Sequence, residues 1–143
     1  EAFDQTLIEK MASEDTTINK SVLLTKAYLT AKDQLFSDER AQYATFMVVG
    51  GWVEGLHIAC QTSKNDLSNM DVRLGVWSMC DTYSSVLHMC DVFKDNAEMK
   101  AVSEKLRSLS DPIAKIRKNA KKFSTSDVEE LGAAVLEVRG GLY

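Results

Sequence analysis

The sequence has little of what builds sheets, disulfide frameworks or membrane spans. One proline and seven glycines in 143 residues are too little punctuation for the many tight turns of an all-β chain. Cys60, Cys80 and Cys90 are an odd set of three, which cannot close into a disulfide framework. Each sits in an apolar helical context, where a free thiol behaves as a small buried hydrophobe. A net charge of −4 gives no global attraction to nucleic acid or to an anionic membrane surface. The apolar run from Tyr43 to Cys60 is broken by Glu54 and His57 and diluted by Gly50, Gly51 and Gly55, so no transmembrane segment is expected. A serine–histidine–acid motif, a phosphate-binding glycine loop and a Cys-x-x-Cys pair are all missing. No catalytic residue, no metal and no cofactor is therefore assigned.

What is present is helical. The chain is 45% hydrophobic and 27% charged, a globular composition long enough for one core. Residues 2–12 read as a short first helix, and a second runs from about Thr17 to Leu35 with Ile18, Val22, Leu24, Tyr28, Ala31 and Leu35 at helical spacing. Ser37 and Asp38 offer caps for a third helix reaching Ser63. Ser68 or Asn69 caps a fourth that ends near Phe93. A fifth starts near Asn96 and carries Met99, Val102, Leu106, Leu109, Ile113, Ile116, Ala120 and Phe123 at alternating spacings of three and four. Asp111-Pro112 falls inside that seam, so the helix is expected to kink or restart there. "STSD" caps the last helix, whose Val128, Leu131, Val135, Val138 and Leu142 repeat the seam before Gly140-Gly141 stops it. The expectation is an all-α antiparallel bundle of five or six helices, one domain over residues 1–143. The third helix should be the most buried, packed by the fourth, second and fifth. Because "EAFDQTLIEKM" is already helix-like at Glu1, the chain is expected to be the C-terminal part of a longer protein.

"MVVGGWVEGLHIAC", residues 47–60, is the least ordinary stretch. Each glycine inside a helix is about 1 kcal/mol less favourable than alanine. On a helical wheel Ala44, Val48, Gly51, Gly55 and Ala59 share one narrow face, which suits close approach of another helix. A second, polar face gathers Tyr43, Gly50, Glu54, His57 and Gln61. Tyr43, Glu54, His57 and Gln61 are the ligand-binding candidates, set against the plainer reading that they form the solvated edge of an incompletely enclosed helix.

Glu54 and His57 form one Glu-x-x-His pair. A di-iron carboxylate site needs two such pairs and two further glutamates, and the fourth helix supplies only Asp81, His88 and Asp91. A zinc set of His57, Cys60, His88 and Cys90 has the right atoms, but Cys60 lies about 60 degrees around the helix from His57 and Cys90 about 160 degrees from His88. "LHIAC" and "LHMC" are too short an echo to be a repeat, and His57 lacks the Lys and Gly surroundings of a phosphotransfer histidine. On the fourth helix Trp77 points away from the apolar line of Val72, Val76, Met79, Tyr83, Val86, Cys90 and Phe93. It lies near Asp81, Ser84 and His88, so Trp77, Asp81 and His88 are the interface candidates. "KIRKNAKKF", residues 115–123, reads as a solvated basic helix end.

The segment "VVGGWVEGLHIA", followed by a helical tail ending "VLEVRGGLY", resembles an uncharacterised family of predicted bacterial envelope lipoproteins. The resemblance is carried by residues 35–62, with Gly51, Trp52, Glu54 and Gly55 as the family-like positions. It implies an envelope location and brings no activity and no catalytic residue. The function expected is a non-enzymatic binding or protein-interaction module, engaging a protein partner or a second copy as a homo-oligomer. The alternative is a small-ligand or metal-binding bundle using Glu54 and His57.

Overall fold

The computed structural model describes residues 12, 19–37, 40–119 and 122–142. The fold is all-α, and no strand occurs among the described residues. The elements are α1 (Lys20–Ser37), α2 (Ala41–Ser63), α3 (Met70–Asp81), α4 (Tyr83–Val92), α5 (Ala97–Arg107), α6 (Ser110–Asn119) and α7 (Thr125–Gly140). The helix read over residues 2–12 lies outside the described residues, apart from Ala12. Two compact units divide the chain, Glu1–Met47 and Val48–Tyr143. α1 and the first turns of α2 belong to the first unit, and the rest of α2 with α3–α7 belongs to the second.

At three helix starts short polar side chains cap where the sequence offered them, whereas Ser37, expected to cap the helix after it, ends α1, the next helix begins at Ala41, and Asp38 lies outside the described residues. Asn69 Oδ1 accepts from the Asp71 amide, and Asn96 Oδ1 from the Met99 amide. Ser124 and Asp127 form a reciprocal capping box at the head of α7, which satisfies two amides that the helix leaves without partners. Pro112 lies in the first turn of α6, where its missing N–H breaks no helical bond. The fifth helix read from the sequence thus restarts, as α5 and α6.

The fourth helix does not run unbroken from Asn69 to Phe93. It breaks at Thr82 into α3 and α4. The Thr82 hydroxyl donates back to the Met79 carbonyl at 2.8 Å, a bond that bends helices. The indole N–H of Trp52 donates to that same carbonyl at 3.2 Å and to Thr82 Oγ1 at 2.9 Å. The apolar line nevertheless continues through the break, with Val76, Tyr83, Val86 and Cys90 all buried. The core of the second unit gathers Val53, Leu56, Val76, Met99, Leu106, Leu109, Ile113, Ile116, Phe123, Val128, Leu131 and Val135.

Paired contacts fix the direction of neighbouring helices. Trp52 meets Thr82 while Gly55 meets Met79, so α2 and α3 are antiparallel. Glu54 meets Arg139 while Cys60 meets Gly132, so α2 and α7 are antiparallel too. Tyr83–Leu106 and Asp91–Ser103 give the same sense for α4 and α5. The neighbour of α2 that the sequence did not anticipate is α7.

The small stripe on α2 packs in part. A Cβ at Gly55 would stand 3.1 Å from the Met79 methyl, but one at Gly51 would meet nothing within 4 Å. Gly51 and Gly75 are exposed and face open space, so Gly51→Ala and Gly75→Ala should each stabilise the protein by about 0.5–1 kcal/mol, through helix propensity and a less free unfolded chain. Urea denaturation midpoints check this. A drop in either midpoint would mean that something covers that glycine.

Candidate functional site

The polar face of α2 is built around an ion pair. Arg139 of α7 reaches Glu54 with Nε at 2.5 Å from Oε2 and Nη2 at 3.3 Å from Oε1. This is the two-point fork that a guanidinium makes with a carboxylate. Both side chains are half-exposed, at 38% for Glu54 and 39% for Arg139. The Arg139 guanidinium holds the Glu54 carboxyl below its usual range, partial loss of water opposes it, and His57 adds a smaller pull in the same direction. Glu54 is therefore not a plain solvated edge, and its charge is directed at α7. His57, three residues on, is half-buried, and its Nδ1 is buried without a hydrogen-bond partner. Gln61 is exposed. Tyr43 is exposed in the first unit.

A folded-state pKa lowered below the unfolded value stabilises the fold above that unfolded value and is lost as pH falls through the folded one. For Glu54 the ordinary value is 4.5. The Asp127 carboxyl is likewise lowered from 3.8 by the Ser124 amide and hydroxyl. Stability should therefore fall on acidification below about pH 4.5. Glu54→Gln should flatten the upper part of that decline and leave the part due to Asp127. An acid limb identical in the wild type and Glu54→Gln would mean the Arg139 fork is not populated in solution.

The thiols are free and buried. Burial pushes Cys60 up to about 11, Cys80 to about 12 and Cys90 to about 11, which keeps them protonated and poor nucleophiles at neutral pH. Cys60 packs over Gly132, on the α7 side of α2. Among the described residues no three His, Cys, Asp or Glu side chains converge to hold a metal ion.

The three interface candidates of the fourth helix separate. Arg73, Trp77 and Asp81 are four apart and share one side of α3. Arg73 donates to the Phe123 carbonyl at 2.7 Å and lies 5.3 Å over the Phe123 ring. Asp81 accepts from Arg117 of α6 at 3.3 Å. That side of α3 therefore faces α6 and the chain that follows it. Trp77, between the two, is half-buried with its indole nitrogen buried and unpartnered. His88 is exposed on α4. The basic segment is not simply solvated either, because Lys115 pairs with Glu130 of α7 at 2.7 Å while Arg117 holds Asp81.

Two features escaped the sequence reading. Trp52 is buried, stacks on Tyr83 with ring centroids 6.0 Å apart, and binds the α3–α4 break. Tyr83 in turn donates its hydroxyl to the Leu106 carbonyl at 3.0 Å, at the end of α5. The signal was available: a large aromatic with a polar tip, set among small residues, needs a partner for its N–H. The second feature is an open cleft of about 340 Å³ between α4 and α5, lined by Asp91, Lys94, Lys100, Ser103 and Arg107 among others. One of its three carboxylates, Asp91, is already held by Arg107 at 2.9 and 3.1 Å and by Ser103 at 3.1 Å, the others being Asp95 and Glu104.

No described helix is long and apolar enough to cross a membrane. No family model matches the chain, and neither a curated protein nor a solved structure is similar to it at a meaningful level.

Proposed function

We propose that the chain is a non-enzymatic protein-interaction module. One observation carries this reading: Val22, Leu24 and Leu29 on α1 are 60%, 57% and 46% exposed. Single exposed apolar residues are ordinary, but Val22 with Leu29 on one side of α1, and Leu24 with Tyr28 on another, leave that helix apolar surface of the kind that partners cover. The groups that could do chemistry support the same reading by being engaged elsewhere. Glu54, Asp81 and Asp91 are each bound by an arginine, and the three thiols are buried. The resemblance of residues 35–62 to envelope lipoproteins would place the partner in the bacterial envelope, and that location belongs to the proposal. A photo-crosslinking residue at position 29, used in living cells of the protein's own host, tests it. The reading expects an adduct between two polypeptides that disappears with Val22→Asp. Absence of any adduct between polypeptides would refute it.

The alternative, a metal or small-ligand site at Glu54 and His57, is favoured by one observation: the buried Nδ1 of His57 has no partner. Calorimetric titration with zinc decides it. Stoichiometric uptake that is lost in Glu54→Gln would replace the interaction reading with this one.

A further inference from the structure

Val22, Lys26, Leu29 and Asp33 follow one another at spacings of four, three and four, so they form one line along α1. With Thr25 and Thr30 they line an open groove of about 360 Å³. The apolar part of that line is only one or two side chains wide. This is the width of a helix–helix seam, narrower than the face of a helix lying on a membrane. Its charges are of opposite sign and seven residues apart, a separation of about 10.5 Å along the axis.

We infer that this face of α1 pairs antiparallel with the same face of a second copy of the chain. The inference rests on the interaction reading above and names its partner. In a two-fold contact, residue i meets residue j while j meets i. Centring the axis between Leu29 and Thr30 brings Lys26 of each copy level with Asp33 of the other. Two Lys26–Asp33 pairs then cross the interface, and Leu29 sits at the middle. An in-register parallel pair would instead set Lys26 against Lys26 and Asp33 against Asp33, which like-charge repulsion opposes. The charges therefore suit a second copy and set its direction. Asp33 already lies 3.4 Å from Lys32, but its side chain is 74% exposed. So exposed a pair adds little, and the carboxylate has a second oxygen for a cation across the interface.

An 18-residue helix is about 27 Å long, so the contact is small beside the ~1,600 Å² of a standard interface. The dimer is therefore weak and salt-sensitive. Sedimentation of the full chain, from low-micromolar to near-millimolar concentration, is the test. The wild type should pass from monomer to dimer as concentration rises, less readily in 1 M salt, where the screening length is about 3 Å. Lys26→Asp or Asp33→Lys alone puts like charges together twice per dimer and should weaken association at least about tenfold. The double variant, K26D with D33K, restores opposite charges and should recover dimerisation to within about threefold of wild type. Far-UV circular dichroism confirms that each variant keeps its helices. A wild type monomeric at every concentration, a dimer indifferent to the single reversals, or a double variant that fails to recover would each overturn the inference. So would a crosslink from position 29 to residues 1–18 of the same chain. A monomer in vitro whose position 29 crosslinks to a different protein in cells would end the inference and leave the interaction module standing. Failure of every crosslink between polypeptides would end both.

Discussion

Trp52→Ala should lower stability by about 3–5 kcal/mol, the range for emptying a buried large aromatic site. Three losses combine in that figure. The indole volume disappears from beneath the α3–α4 break. The stacked contact with Tyr83, at 6.0 Å between centroids, is worth about 0.5–1.5 kcal/mol beyond its buried area. The Met79 carbonyl and Thr82 hydroxyl lose a donor. Urea denaturation can be followed through Trp77, since the chain has two tryptophans and the variant keeps that one. Trp52→Phe separates the terms, because it retains much of the ring and removes the N–H. It should cost less than Trp52→Ala, while losing about 0.5–1.5 kcal/mol for the hydrogen bond. A Trp52→Ala midpoint within about 1 kcal/mol of wild type would mean that the aromatic pair does not organise the helix break.

That helix break shows what could be read from the sequence and what could not. Apolar spacing along Val72, Val76, Met79, Tyr83, Val86, Cys90 and Phe93 predicts one long helix, and the buried face does run along that line. Spacing reports which face is buried, and a one-residue interruption that keeps the phase leaves it unchanged. The break is bonded by Trp52, 30 residues before Thr82, a partner that no local pattern connects to it. The caps are different. Asn69, Asn96 and Ser124 bond amides two or three residues ahead, so their signal is local and the sequence carries it in full.

The polar face of α2 follows the same division. Helical spacing places Glu54, His57 and Gln61 together, and they do share a side. What Glu54 does there is decided by Arg139, 85 residues away, in a tail read only as the end of a helical seam. A carboxylate beside a histidine looks like chemistry until the guanidinium that holds it is known. The same holds for Asp81 and Arg117, and for Asp91 and Arg107. Opposite charges on different helices are invisible to a pass along the chain, because register between helices is set by core packing.

Close helix packing at α2 gives the remaining large effect, and it falls at a residue outside the glycine-rich stretch. Gly132 of α7 is buried, and a Cβ there would stand 3.4 Å from the Cys60 Cβ. At Gly55 the neighbour is the tip of Met79, a flexible side chain that can swing aside; at Gly132 it is the first side-chain carbon of a buried residue, fixed to the α2 backbone. Gly132→Leu should therefore destabilise by about 1–3 kcal/mol or more, as overpacking a close contact does. Gly55→Leu should cost less, even though the sequence pattern singles out Gly55. Gly132→Ala is the control. Its gain of about 1 kcal/mol in helix propensity offsets the few tenths of an ångström that Cys60 must yield, so the net change should be small. Cys60→Gly made together with Gly132→Leu should cost less than the sum of the two single changes, because the Cβ that Gly132→Leu meets is then gone and residues in contact couple by about 0.5–3 kcal/mol. Strict additivity, or a larger effect at Gly55 than at Gly132, would mean that the Cys60–Gly132 contact is not the tight one in solution. In that case the Glu54–Arg139 fork would lose the packed helix pair that aligns it.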